Sequence, residues 1–155
     1  MREPKLFWED FPPGYALERQ GEPITKAEII EFAAEFDPQP FHLDEAAAAS
    51  SMLGGLCASG WHTCAMIMRI MCDACILDSA SLGAPGVEEG RWTKPVFVGD
   101  TLTVRLSCLE RRPSKSRPEM GLTRFQWDAF NQNNVLVASL RSWGMFARRH
   151  PGEAA

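Results

Sequence analysis

The stretch Phe36-Asp37-Pro38-Gln39-Pro40-Phe41-His42-Leu43-Asp44 holds an acid and an imidazole five positions apart, with two prolines between them. Each proline fixes its own φ and biases the residue before it toward an extended conformation. Asp37 and His42 are therefore expected on a stiff, non-helical connector. Held this way, a carboxylate and a histidine can grip one water together, the carboxylate taking its proton and the imidazole fixing its orientation. That is a general acid/base device. The same residues also have a plainer reading, because Asp before Pro is a common turn former and a single loop histidine is often a satisfied surface group.

The rest of the chain decides what could position such a pair. Its 155 residues make one domain, over 1–149 with a frayed tail at 150–155, and are enough to bury a real core. A composition of 45% hydrophobic and 23% charged residues is that of a soluble globular protein. The net charge of -4 argues against non-specific nucleic-acid binding, which needs a basic face. The start, Met1-Arg2-Glu3-Pro4-Lys5, is charged with no apolar stretch after it, and no long uncharged apolar run follows anywhere. A cytoplasmic protein without a membrane span is the expectation. The odd set of five cysteines fits reduced thiols. Cys72-Asp73-Ala74-Cys75 has metal-ligand spacing, but no second pair follows and His62 is the only imidazole nearby. The pair also falls inside a predicted helix, away from the N-terminus that would stabilise a thiolate. Buried, inert thiols and no metal site are expected.

Along the chain, a short strand is expected around 15–20. Thr25-Lys26-Ala27-Glu28 reads as a capping box opening a helix with Ile29, Phe32, Ala33 and Phe36 on one face. Pro38 ends it, and Asp44 caps a short alanine-rich helix over 45–51. A long helix over 60–79 is apolar on nearly all faces, which predicts a helix wrapped by other structure. After Ser81-Leu82-Gly83-Ala84-Pro85-Gly86, read as a turn, four strands are expected at 87–93, 101–109, 122–131 and 135–146. Leu102, Val104 and Leu106 alternate with Thr101, Thr103 and Arg105, as in a strand with one buried face. Helices followed by antiparallel strands define an α+β domain.

A long apolar helix with a sheet of about five strands points to a sheet curled around the helix, the hotdog fold. The segment 24–71 resembles the MaoC-like dehydratases, the family of (R)-specific enoyl-CoA hydratases. Their D-x-N-P-x-H motif stands here as Asp37-Pro38-Gln39-Pro40-Phe41-His42, followed by Ala46 to Ala49 and by Ala58-Ser59-Gly60. Lys94-Pro95-Val96-Phe97-Val98-Gly99-Asp100-Thr101-Leu102 is similar to the family's strand-turn-strand after the helix. Two positions depart from the pattern: Gln39 stands at the usual Asn, and Ser59 where many hydratases carry His.

The resemblance implies reversible addition of water to a trans-2-enoyl-CoA, giving the (R)-3-hydroxyacyl-CoA. Asp37 and His42 would be catalytic, with the backbone N–H of Gly60 as oxyanion donor at the start of the long helix. A plain turn glycine is the other reading of Gly60. Gln39 and Ser59 would face the acyl substrate. Arg111, Arg112, Lys115 and Arg117, an all-positive loop, could meet the phosphates of coenzyme A, although charge runs are usually only solvated. Coenzyme A enters as part of the substrate, and no other cofactor is implied. Trp92, Trp127 and Trp143 are expected in the core. An unpaired sheet edge, as in other hotdog proteins, predicts a homodimer or a higher homo-oligomer. A thioesterase and a non-catalytic acyl-thioester-binding subunit are the rival readings.

Overall fold

Thr25 caps the first helix as its capping box requires: its Oγ1 accepts from the Glu28 amide at 3.2 Å, and the Glu28 carboxylate accepts from the Thr25 amide at 2.7 Å. The computed structural model describes residues 3–152, so 153–155 of the expected tail lie outside the described residues. His150, by contrast, is held, its amide donating to Glu9 at 3.3 Å. Helix α1 (Lys26–Phe36) is followed by the single turn α2 (Pro40–Leu43), then α3 (Glu45–Ala49) and the long α4 (Gly60–Ala74). The strands are β1 (Ala16–Pro23), β2 (Ser81–Trp92), β3 (Thr101–Pro113), β4 (Met120–Phe130) and β5 (Leu136–Ala147). They form one antiparallel sheet in the order β1-β3-β4-β5-β2, curled on α4. This is the hotdog architecture of an α+β domain.

Period-2 patterning drives the packing. Leu102, Val104, Leu106 and Cys108 of β3 and Phe125, Trp127 and Ala129 of β4 turn inward against Ile67, Ile70 and Met71 of α4. Trp8, in a 3₁₀ turn at Trp8–Asp10, closes one end of the barrel-like core. Its indole is clamped between the guanidinium groups of Arg111 and Arg148 and donates to the Leu122 carbonyl at 3.1 Å.

Three expectations need correcting. The long helix is buried only where it faces the sheet: Trp61 is 65% and Met68 49% exposed, because five strands curl around one side of it. Of the expected α1 face, Ile29 and Ala33 are buried, while Phe36 turns outward at the helix end. Residues 81–86 are strand, not turn. Gly83 (φ 98°) and the register shifts along β2 make a bulged edge, where Pro85 and the glycines need not complete a ladder. Nearly all of β2 is exposed. Among the described residues, no helix is long and apolar enough to cross a membrane.

Candidate active site

Asp37 is the residue on which α1 ends: its amide still donates to the Ala33 carbonyl, but its φ of -150° is no longer helical. Pro38 forbids continuation, and Pro40 then starts a new turn at a position where a missing N–H costs nothing. The connector is thus partly helical, which corrects the sequence reading. His42 lies on α2 and is buried at 6% exposure. Its Nδ1 donates to the Cys57 carbonyl at 2.8 Å, which fixes the ring and turns Nε2 toward Asp37. Cys57 and Ala58 are in turn stitched to the segment before β3, through a bridge to Phe97 and an amide bond to the Val96 carbonyl at 2.8 Å. The acid and the imidazole therefore reach one place from two elements, α1 and α2.

His42 Nε2 stands 3.6 Å from Asp37 Oδ2. That gap is too long for a direct hydrogen bond and short enough for one water to engage both atoms. Ser59, fully buried, donates to Asp37 Oδ2 at 2.6 Å, and Gln39 Nε2 donates to Oδ1 at 2.7 Å. The hydrogen bond from Ser59, and after it the one from Gln39, holds the Asp37 carboxyl below the usual carboxylate range, with the nearby imidazole acting in the same direction against partial desolvation. Asp37 is accordingly ionised at neutral pH. Ser59 and Gln39, expected against the acyl group, instead grip the carboxylate. The longer glutamine folds back onto Asp37 rather than reaching outward.

Ser59 also caps α4, its Oγ accepting from the Trp61 amide at 3.2 Å. Gly60 is the first residue of that helix, so its N–H has no carbonyl one turn back within the helix to receive it. A pocket of about 400 Å³ opens here, lined by His42, Gly60, Thr63, Trp92 and Lys94 with apolar walls from Phe41, Leu53 and Val96. Trp92 is 48% exposed in this pocket, not in the core as the sequence reading had it. Neither Trp92 nor Lys94 carries a local signal of this role, since only the tertiary pairing of β2 with β5 brings them to the start of α4.

The basic cluster lies elsewhere. Arg111, Arg112, Lys115 and Arg117 belong to the β3–β4 hairpin, whose register runs from Thr103↔Phe130 near the site to Pro113↔Gly121 at the far end. Pro113 at that end is ten residues, about 30 Å of strand, from Thr103. Arg111 donates to the Glu9 carbonyl, Arg112 lies over Trp143, and Arg117 pairs with Glu119. The cysteines are free, and burial pushes the Cys75 thiol up to about 11. Among the described residues, no group of three or more His, Cys, Asp or Glu side chains could hold a metal ion.

A model of the MaoC like domain matches residues 10–124. The MaoC-like dehydratase of Rhodospirillum rubrum is 40% identical, with a TM-score of 0.85 over 94% of this chain and 99% of that one. The (R)-hydratase PhaJ1 of Pseudomonas aeruginosa is 25% identical, with a TM-score of 0.75 over 94% of this chain and 87% of that one. The uncharacterised protein YdeM of Bacillus subtilis (strain 168) is 26% identical over 83% of this chain and 90% of its own length. With an acid and a histidine brought together at the head of the central helix, and a family model spanning most of its length, this chain belongs to the MaoC-like domain family.

Proposed function

We propose that this protein is a hydratase/dehydratase that adds water reversibly to a trans-2-enoyl-CoA, forming the (R)-3-hydroxyacyl-CoA. The observation that carries the reading is the 3.6 Å gap between a carboxylate held ionised and an imidazole fixed through its far nitrogen, beside a largely apolar pocket. A water between them gives a proton to Asp37 as its oxygen bonds to Cβ, and the alkene electrons move through Cα onto the thioester oxygen. The N–H of Gly60 faces that growing charge at the positive end of α4. Collapse of the enolate then takes a proton onto Cα from the Asp37–His42 pair. Oxygen and proton come from one side of the alkene, which is syn addition. Lys94, exposed and lining the pocket, is placed to meet a phosphate of coenzyme A, and no cofactor beyond that carrier is needed.

The reading extends to assembly. β2 presents an exposed edge that pairs antiparallel with the same strand of a second copy, giving a C₂ homodimer. The relatives with the same family name are consistent with a dehydratase, and PhaJ1 with the (R) outcome. Loss of enoyl absorbance, release of free thiol and chiral analysis of the product from crotonyl-CoA test the assignment together. Absorbance loss without thiol release and an (R) product is the expected result. Thiol release indicates a thioesterase, and an (S) product refutes the one-sided delivery of water.

A further inference from the structure

A Cβ built on Gly60 would lie 2.6 Å from Cε2, 2.8 Å from Cδ2 and 2.9 Å from Nε1 of Trp92. No real Cβ tolerates such distances, so the indole occupies the space that a side chain at position 60 would fill. Its seat is defined on other sides as well. The Trp61 ring meets it edge-on at 5.3 Å and 77°. The backbone of Trp92 is fixed by pairing with Ala138 of β5, and the Thr93 amide donates to the Val137 carbonyl at 2.8 Å. An indole this firmly placed and still about half exposed is not filling the core. It lines the pocket that His42 also lines, beside the free N–H at the start of α4.

We propose that Trp92 is a substrate-positioning wall, seated by the missing Cβ of Gly60, against which the planar acyl-thioester group lies at the head of α4. The inference rests on the acyl-thioester reading above and adds a second reason for glycine at position 60. A flat π surface favours a flat ligand, and the thioester group is planar whether or not the acyl chain beside it is conjugated. The wall holds the thioester plane so that its oxygen points to the Gly60 N–H and Cβ toward the Asp37–His42 water. Trp92 acts by placing the substrate and transfers no proton.

Calorimetric titration with butyryl-CoA, which cannot be hydrated, tests the wall without turnover. Trp92→Ala is expected to weaken binding roughly 3- to 10-fold, and Trp92→Phe to restore most of it. Gly60→Ala retains the N–H but displaces the indole, so it should weaken binding by a similar factor. The double variant Gly60→Ala/Trp92→Ala should bind no more weakly than Trp92→Ala alone, since the added methyl then has nothing to displace. With crotonyl-CoA the loss in Trp92→Ala should appear mainly in KM. Because Trp92 is about half exposed, its removal or its displacement by a Gly60 methyl costs little core packing, and all four variants should keep near-native thermal midpoints. Unchanged affinity in Trp92→Ala, or multiplying losses in the double variant, overturns the wall while leaving the hydratase reading intact. Failure of the unmodified protein to bind butyryl-CoA overturns both.

Discussion

Ser59→Ala removes one hydroxyl that does two things. It donates to Asp37 Oδ2 at 2.6 Å, within the range of a charge-assisted O–H···O⁻ bond, and it caps α4 by accepting from the Trp61 amide. A hydrogen bond to a charged group contributes about 1.5–3 kcal/mol, and a lost serine cap costs about 1 kcal/mol. One atom serves both, so the terms do not simply add, and about 2–3 kcal/mol of destabilisation is expected at neutral pH. The carboxylate's share must depend on pH. The folded-state pKa of Asp37 is depressed, so its contribution to stability is present above the unfolded pKa and lost as pH falls through the folded one. Urea unfolding should therefore show the widest gap between the two proteins at about pH 7. The gap should narrow toward the cap's share as pH falls below the ordinary carboxylate range and through the lowered folded-state pKa of Asp37. In catalysis, losing the strongest of its donors raises the Asp37 pKa, and the acid limb of kcat/KM for crotonyl-CoA moves to higher pH. Above that limb the rate falls about 10- to 100-fold, because Gln39 alone now orients the carboxylate. A stability gap independent of pH, together with an unmoved acid limb, would show that Ser59 does not govern the ionisation of Asp37.

Asp37→Asn and His42→Ala should each lower hydration about 10²- to 10⁴-fold in the enoyl absorbance assay. The first should also lose about 1 kcal/mol of stability, because the Ser59 and Gln39 donors then meet a neutral amide in place of a carboxylate. His42→Ala should also lose about 1–3 kcal/mol, because it empties a buried site and leaves the Cys57 carbonyl without its donor. Light scattering at micromolar concentration should report at least a dimer, and Val87→Lys, in the middle of the exposed β2 edge, should shift it toward monomer. A monomer mass for the unmodified protein removes the edge-pairing argument. Metal analysis of protein purified without chelator should find no stoichiometric zinc, with activity unaffected by chelation; one zinc per chain contradicts the reading of Cys72 and Cys75 as inert.

What could be read in advance followed the range of the forces involved. The capping box at Thr25, the helix stop at Pro38, the cap at Asp44 and the alternation in β3 are decided within a few residues, and the structure has each of them. The proline-flanked acid and histidine belong to this class, since Pro38 and Pro40 act on their immediate neighbours. Errors began where a partner distant in sequence decided the outcome. Pro85 and two glycines look like a turn locally, yet pairing with β5 keeps 81–86 extended along an edge. The hairpin cations look like a phosphate site by charge alone, while in the fold Arg111 meets the Glu9 carbonyl, Arg112 lies over Trp143 and Arg117 pairs with Glu119. The motif places Gln39 and Ser59 beside the substrate, because it names positions without naming what each side chain touches. In the fold, both spend their hydrogen bonds on Asp37. That difference bears on chemistry. A carboxylate gripped by two neutral donors stays charged at neutral pH, and the adjacent histidine, held through Nδ1 by the Cys57 carbonyl, turns Nε2 toward the same point. Under the proposed mechanism the residues at the two departing positions, Gln39 and Ser59, hold the base, while Asp37 and His42 stand where the motif has its acid and histidine.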